Sequence, residues 1–339
     1  MGASPTAFKW AISFGKETTF GVLETIAGLS NWFPVKSADI TDIQTSWETD
    51  GDEITGYRGE TTHQVFERKG TVTRTAKATL ELLTWCIEMS LGNHVDSGTT
   101  PNYTSTVKWP SVCTQNPPSF SYLEAEDCAG ATNTWFSYKG AILESWSLDF
   151  NGKGPGTITM TIKNDGSETA QPGVTLPATA YAGTRLFGYM LNIKLGPAGT
   201  EDISAVVRNW KTTVTMGSVE PPSITSSVFV AEQQFGLKNP KIDTEIVIKA
   251  DKGHAVYGYY NPTDQTTSTT VKHIATITVN ANRSVVLTNT QNKVTVQIKQ
   301  AGQEFQGTVK VMEEHNATDV GPAVFVCKTG VVAWLAATP

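Results

Sequence analysis

The sequence predicts a mostly β fold: an antiparallel β-sandwich or barrel with one principal α-helix and a long hairpin between two strands. Thr, Ser, Gly and Asn are plentiful and strong helix formers are scarce, which favours strands. About a dozen stretches alternate between apolar and polar residues, whereas only one has helical periodicity. At 339 residues, the chain is long enough for one large all-β unit or two smaller ones.

The first 34 residues hold large aromatic side chains without the periodicity of a strand or helix. Two interpretations fit them: an arm that lies across a neighbouring subunit, or an N-terminal edge strand packed on the core. Aromatic residues suit an arm because they bury a large area in few contacts. The residues concerned are Phe8, Trp10, Phe14 and Phe20.

A long hairpin is predicted next, between strands at Val35–Trp47 and Gln64–Thr73. Its connection, residues 48–62, contains three glycines and no apolar cluster. It therefore cannot bury enough surface to fold tightly alone, and we expect it to become ordered against another subunit. The residues available for that contact include Asp50, Asp52, Glu53, Ile54, Tyr57 and Arg58.

The single helix is predicted over Thr75–Leu91, where apolar residues recur every 3 or 4 positions and Gly92 follows. Residues 96–118 and 165–184 are predicted as loops. Strands are predicted at 119–124, 134–138, 141–150, 156–163, 187–195, 205–216, 244–250, 274–279, 284–287, 293–299, 305–312 and 323–335.

Two of these strands, Ala141–Phe150 and Gly156–Lys163, should pair with one apolar and one strongly polar face. Alternation assigns Ile142, Trp146, Leu148 and Phe150 to the apolar face. Ser147, Asp149, Thr157, Thr159 and Thr161 fall on the polar face.

No pattern in the sequence indicates an enzyme, a cofactor or a metal site. The five histidines are scattered, and the phosphate-binding, nucleophile-elbow and zinc motifs are absent. The segment Asp50-Gly-Asp-Glu53 lacks the alternation and distal Glu of a calcium loop. A solvated acidic turn is the simpler interpretation of that segment.

Composition narrows the possible partners and compartment. A net charge of −6 argues against sequence-independent binding to duplex DNA, which needs clustered Lys and Arg. There is no apolar run of membrane-spanning length, and the N-terminus lacks the features of a secretion signal. The four cysteines show no C-x-x-C spacing, and we expect free thiols in a protein made in a reducing cytosol.

Several segments, in their order along the chain, resemble the tail-tube (major tail) proteins of long, non-contractile-tailed bacteriophages. The opening Phe14-Gly-Lys-Glu-Thr-Thr-Phe-Gly21 is similar to the start of that family, and the hairpin and helix follow at the expected places. The segments Phe136–Phe150 and Val207–Pro221 resemble two later core strands, the second ending in a Glu-Pro turn. The double proline Pro221-Pro222 and the length after residue 250 depart from the pattern, which leaves the C-terminal boundary of the shared module open.

The resemblance implies a virion protein, made in the host cytoplasm, that polymerises into a tube. Such proteins form stacked rings, usually hexameric, whose inner strands join into one β-barrel around a channel. The implied partners are other copies of the chain, the tape-measure protein, and the tail terminator and distal tail proteins, with DNA passing through without specific binding. Residues 1–34 would form the arm, residues 35–339 the tube module, and residues 48–62 a contact between rings.

The resemblance also assigns the polar strand faces to the channel. Alternation then places Asp42 and Glu48 on the channel side, with Glu67 and Asp149 as companions. Acidic and hydroxyl groups there would let a polyanion slide without adhering. The alternative is that the same residues are solvated on the outer surface.

Two functions of other classes compete with this one. A carbohydrate-binding β-sandwich would use exposed Trp and Tyr side chains for stacking, and the chain has nine tryptophans. The mostly core-like positions of its aromatic residues count against this function. A hydrolase on a β-scaffold is disfavoured, because the sequence has no catalytic motif.

Overall fold

The computed structural model describes residues 9–25, 31–35, 42–49, 63–91, 93–109, 118–127, 132–175, 183–216, 241–249, 271–290, 292–301, 304–313 and 323–328. Within these residues, strands form two antiparallel sheets and one α-helix is present. The predicted mostly β, antiparallel fold with one principal helix is therefore confirmed.

The first half of the chain contains the helix, α1 (Leu80–Leu91), and ten strands. The strands are β1 (Lys9–Lys16), β2 (Asn31–Val35), β3 (Asp42–Thr49), β4 (His63–Lys77), β5 (Asn93–Ser97), β6 (Thr104–Lys108), β7 (Phe120–Asp127), β8 (Thr132–Asn151), β9 (Thr157–Asn164) and β10 (Glu168–Thr175).

The second half contains nine further strands and two short 3-10 turns, at Gly188–Met190 and Ser204–Val206. The strands are β11 (Leu191–Leu195), β12 (Glu201–Asp202), β13 (Val207–Thr215), β14 (Lys241–Lys249), β15 (His273–Asn280), β16 (Arg283–Asn289), β17 (Asn292–Ala301), β18 (Glu304–Glu313) and β19 (Ala323–Lys328).

Eight strands of the larger sheet follow one continuous antiparallel path, β3-β4-β9-β8-β13-β14-β18-β17. The path contains one arrangement twice. Each half consists of two hairpins, β3–β4 and β8–β9 in the first half and β13–β14 and β17–β18 in the second. In each half the later strands of the two hairpins pair with each other, β4 with β9 and β14 with β18. Unit one is β3-β4-β9-β8, and unit two is β13-β14-β18-β17. The contact between β8 and β13 joins them, a repetition of strand order that is not visible in the sequence.

The larger sheet also closes on itself. Strands β7, β1 and β2 lead from β8 back to β4, so that β8-β7-β1-β2-β4-β9 form a circuit whose closing contact is Val35 opposite Ala76. Phe14 of β1 packs against Phe33 and Phe120, with ring centroids 5.8 and 5.6 Å away. β1 is therefore an interior strand of this circuit, paired on both sides.

The helix lies between the two sheets. The smaller sheet has the order β12-β11-β15-β16-β19-β6-β5, and α1 contacts β8 on one side and β5, β6 and β16 on the other. Every residue of α1 except Glu81 is buried, as expected of a helix enclosed on all sides. Trp146 of β8 donates a hydrogen bond from Nε1 to Ser90 Oγ (3.0 Å), and its ring lies 6.2 Å from that of Phe325 of β19.

The predicted helix start at Thr75 is wrong, because residues 75–77 continue β4. Thr75 and Lys77 pair with β9. The Ala78 amide donates a hydrogen bond to the Gly156 carbonyl, and the Ala78 carbonyl accepts one from the Leu186 amide. The helix begins only after Thr79, whose Oγ1 accepts a hydrogen bond from the Leu82 amide (3.2 Å). This is the geometry of a Thr N-cap.

Other boundaries also need correction. The predicted loop 96–118 overlaps β5 and contains β6, and the predicted loop 165–184 contains β10. Residues 134–138 and 141–150 form the single strand β8, and the alternating stretch that begins at Val35 is divided between β2 and β3. These short or polar strands form because a neighbouring strand supplies hydrogen-bond partners, which alternation within one segment does not reveal.

A β-bulge changes one predicted face. Pairing of β8 with β9 is irregular between Leu143 and Ser145, and Ile142 lies opposite Lys163. A bulge adds one residue to a strand and reverses its alternation. Leu143, rather than Ile142, therefore continues the face of Trp146, and Leu143 belongs to the main hydrophobic core.

Carboxylates and cations connect the layers at two places. Glu313 of β18 accepts hydrogen bonds from Trp109 Nε1 (3.2 Å), the Ile242 amide (3.0 Å) and the Ala323 amide (3.2 Å). Arg283 of β16 pairs with Glu81 of α1. These contacts join elements distant in sequence, and they fix α1 and the smaller sheet against the larger one.

We predict that Leu83→Ala will destabilise the protein by about 2–5 kcal/mol, because Leu83 is 1% exposed and the truncation leaves a cavity. Denaturant unfolding measures this change. Val95→Ala is the matched control, since Val95 is 64% exposed. A loss of less than half a kcal/mol for Leu83→Ala would contradict the position of α1.

One carboxyl group in the core has an unusual environment. Glu88 of α1 is 3% exposed, and neither of its oxygens has a well-formed hydrogen bond. Burial raises the pKa of Glu88 to about 7, and Asp96 adds to the rise, whereas Lys16 and the Ser105 hydroxyl lower it. The folded protein therefore holds a proton on Glu88 at pH values where the unfolded chain has lost it.

This difference predicts pH-dependent stability. The ordinary pKa is 4.5, so the free energy of unfolding should fall by roughly 3 kcal/mol as pH rises from 4.5 to 7, and should then level off. Below pH 4.5 both states are protonated and the group contributes nothing. Glu88→Gln cannot ionise and should lack this component, which parallel urea titrations at several pH values would measure. Identical pH profiles for the two proteins would contradict the prediction.

Candidate assembly surface

The eight-stranded path has one apolar and one polar face. The apolar face packs toward α1 and the smaller sheet, and it includes Trp146, Met160, Trp210 and Ile246. The opposite face, here called the polar face, is half-buried to exposed. Its described residues include Thr71, Thr73, Thr75, Lys77, Glu144, Ser145, Ser147, Asp149, Thr157, Thr159, Thr161, Lys163, Asn209, Lys211, Thr213, Thr215, Lys241, Asp243, Glu245, Lys249, Thr308 and Lys310.

Hydroxyl groups form rows across the polar face. The register places Thr75, Thr159, Ser147 and Thr213 side by side on four consecutive strands. The Oγ1 atoms of Thr75 and Thr159 are 3.3 Å apart, within hydrogen-bonding distance. Such cross-strand pairs stabilise a sheet without apolar contact, so this face is stable while facing water or a polar partner.

Charges on the polar face alternate across the strands. Asp149 lies opposite Lys211, Lys211 opposite Glu245, and Glu245 opposite Lys310. Asp149 Oδ1 also accepts a hydrogen bond from Asn209 Nδ2 (3.2 Å). Ion pairs occur nearby, between Lys241 and Asp243 and between Lys163 and Glu144.

The described residues of this face therefore do not form the acidic surface that was expected on the channel side. Lysines occupy six of the positions named above and carboxylates occupy four. Asp149 lies on the polar face together with Ser147 and the β9 threonines, but a cation is its cross-strand neighbour. Sequence reasoning missed Lys211 because alternation within one strand does not show which residue lies opposite.

The other predicted channel residues belong to the hairpin β3–β4 at the edge of the sheet. Asp42 pairs with Thr71, Ser46 with Glu67, and Glu48 with Gln64. In the strand register, Asp42 is thus the neighbour of Thr71, which belongs to the polar face. Whether these strands line a channel stays a prediction.

The predicted arm is partly incorporated into the fold. Phe14 is 2% exposed and stacks on Trp85, with ring centroids 4.0 Å apart, so the prediction that Phe14 contacts a neighbouring subunit is wrong. Phe14 is buried because β1 pairs with both β2 and β7. The backbone of Trp10 pairs with Val35 and Glu126. Phe8 lies outside the described residues.

The predicted ring-stacking hairpin also lies outside the described residues. This applies to Asp50, Asp52, Glu53, Ile54, Tyr57 and Arg58. The described strands bring its two ends together, since Thr49 pairs with His63. Its role stays a prediction.

The opening motif forms a corner that sequence reasoning did not anticipate. The Glu17 carboxylate is 6% exposed and accepts hydrogen bonds from Ser121 Oγ (2.8 Å), the Gly140 amide (2.8 Å) and the Gly21 amide (2.9 Å). Gly140 has φ +56°, and a Cβ there would lie 3.1 Å from Phe20. Glu17 thereby joins the end of β1 to β7 and β8, and Phe20 packs into this corner.

We expect Glu17→Ala to cost about 2–4 kcal/mol, because three donors, two of them in buried hydrogen bonds, would lose their shared acceptor. Thermal and denaturant unfolding would measure the loss. Glu168→Ala removes a carboxylate from an exposed position on β10 and should change stability by less than about half a kcal/mol. Equal effects of the two substitutions would contradict the structural role of Glu17.

The aromatic residues give little support to carbohydrate binding. Six of the nine tryptophans are among the buried residues. The largest exposed aromatic side chain in the described part of the chain is Tyr189, which is 64% exposed and stacks on Phe187. A single such pair falls short of the stacking platform expected for that function.

Comparisons with known proteins leave the chain without an assigned family. A scan against known protein families finds no match, and no curated protein is significantly similar. Among the described residues, no group of three or more His, Cys, Asp or Glu side chains could hold a metal ion. No helix in the same residues is long and apolar enough to span a membrane.

Proposed function

We propose that this protein is the structural subunit of a bacteriophage tail tube. The observation that supports this most directly is the eight-stranded path, which has one buried apolar face, one hydroxyl-rich polar face, and edge strands paired on one side only within the described residues. Such a sheet can be extended by other copies of the chain into a closed barrel, which removes its exposed edges. The polar face would then line a channel.

The charge pattern of the polar face affects how strongly such a channel would bind the phosphates of passing DNA. Each lysine in the row from Asp149 to Lys310 has a carboxylate on a neighbouring strand. Cations that lie beside acids bind phosphate less strongly than isolated ones, because the acid repels the polyanion. Passage without lasting adhesion would thus rest on hydroxyls and balanced charge instead of a uniformly acidic surface.

The proposal includes partners as well as the ring itself. The tape-measure protein would occupy the channel before DNA release, and the terminator and distal tail proteins would contact the two ends of the tube. Residues 48–62 are proposed to contact the next ring. The protein would be located in the virion tail after synthesis in the host cytoplasm.

Negative-stain microscopy of the concentrated protein tests the proposed function. We expect rings or tubes with a central channel, and sedimentation should show mass increasing with concentration. A protein that remains monomeric at all concentrations, including those reached in an infected cell, would contradict the proposal.

The position of the polar face can be tested with Ser147→Cys, in a background where Cys113 and Cys128 are replaced by Ser. The remaining cysteines, Cys86 and Cys327, are buried. If the face lines a narrow channel, a bulky polymer maleimide should modify residue 147 in the subunit but not in the tube. A small maleimide should react in both states. Rapid modification of the tube by the bulky reagent would place the face outside the channel.

A further inference from the structure

We infer that copies of this chain assemble head to tail by pairing β17 of one copy with β3 of the next, repeating between chains the contact that β8 makes with β13 within one chain. This inference rests on the proposed ring-forming function and specifies its subunit contact. Three observations support it: the repeated strand order, the one-sided edges, and the charges on those edges.

The repeated strand order supplies the template. Unit one ends in β8 and unit two begins with β13, and these strands pair antiparallel from Asn209 opposite Asn151 to Thr215 opposite Ser145. β17 is the last strand of unit two, as β8 is the last strand of unit one. β3 is the first strand of unit one, as β13 is the first strand of unit two. A contact between β17 and β3 of the next copy would therefore join unit two to unit one as β8 and β13 join unit one to unit two.

The edges that this contact needs are available in the described part of the chain. β3 pairs there with β4 alone, and β17 pairs there with β18 alone. Both are long for edge strands, with 8 and 10 residues. Long bare edges invite pairing with another chain, and proteins that remain monomeric shorten or block them. A second copy of this chain is the partner that the repeated order specifies.

The sequence charges of the two edges are complementary. β3 contains Asp42 and Glu48 and no basic residue, whereas β17 contains Lys293 and Lys299 and no acidic residue. The two acids are six residues apart, as are the two lysines. Opposite charges on adjoining strands attract, and like charges repel. Pairing of β3 with β17 is therefore favoured over pairing of either edge with its own kind, and the resulting contact is heterologous and can close into a ring.

The repeat also sets the number of chains in a ring. Each copy contributes two four-stranded units, so a ring contains twice as many units as chains. If each ring of the proposed tube has six units, as in a hexamer of single-unit subunits, it contains three copies of this chain. The ring would have threefold rotational symmetry, because it contains three identical chains, and its strand order would repeat six times, because each chain contributes two units.

Native mass spectrometry of isolated rings tests the number of chains. The chain has a mass of 36.6 kDa, so a ring of three copies should have a mass of about 110 kDa, three times that value. A ring of six copies, about 220 kDa, would overturn the inferred stoichiometry while leaving the proposed tube function intact. Absence of any ring would overturn both.

Charge reversal tests the edge contact itself. Lys293→Glu with Lys299→Glu should raise the concentration for half-maximal assembly about tenfold or more, and Asp42→Lys with Glu48→Lys should do the same. The chain that carries all four substitutions regains complementary edges, and its concentration for half-maximal assembly should be close to that of the wild type. Recovery by the fourfold variant is a result that damage to the fold would not produce.

A matched control reverses two lysines away from the edges. Lys108→Glu with Lys328→Glu changes the net charge equally, but these exposed residues lie on β6 and β19, inside the smaller sheet, and neither faces a carboxylate on a neighbouring strand. This variant should assemble at a concentration within about threefold of wild type. Circular dichroism of each subunit checks that it is folded. Normal assembly of both edge variants, or failure of the fourfold variant to recover, would overturn the edge contact.

Discussion

The structure depends above all on the hydrogen bonding of one long strand. β8 has 20 residues and pairs with β7, β9, β10 and β13, so it joins the closed circuit of the N-terminal half to unit two. Its apolar side chains meet α1 and the smaller sheet, while its hydroxyls and Asp149 lie on the polar face. The bulge between Leu143 and Ser145 changes the phase of the side chains at the point where β8 passes from pairing with β7 and β10 to pairing with β13.

The second constraint is the enclosure of α1. A helix buried on nearly every side has little solvent-exposed surface for polar groups, and each polar residue on it therefore needs a partner in the helix backbone or in a neighbouring layer. Ser90 meets Trp146, and Glu81 meets Arg283. Glu88 has no well-formed hydrogen bond, which is why burial raises its pKa to about 7. This makes the contact between the helix and the smaller sheet a pH-sensitive part of the described core.

The resemblance drawn from short motifs acquires a physical explanation at the Glu17 corner. Phe20, Gly21 and Gly140 come from two of the motifs. Gly21 and Gly140 both donate backbone hydrogen bonds to Glu17, and Phe20 lies close to Gly140. These residues are explained by the folding of one subunit, because they join β1, β7 and β8, and they need no tube for their role. The polar face and the open edges are therefore the features that support the proposed assembly, and the motifs contribute through their order along the chain.

The sequence alone determined the fold class and the C-terminal end of the helix, because these depend on periodicity within one segment. Alternation over 156–163 correctly predicted the faces of β9, and helical spacing correctly predicted a helix that ends at Leu91. The sequence did not determine which strands pair, because the hydrogen-bond partners of a strand come from distant segments. Only the tertiary structure placed Lys211 opposite Asp149, buried Phe14 inside the circuit, and revealed two units of the same strand order. The repeat is invisible in the sequence because equal strand order requires only comparable hydrogen bonding, which unrelated side chains provide equally well.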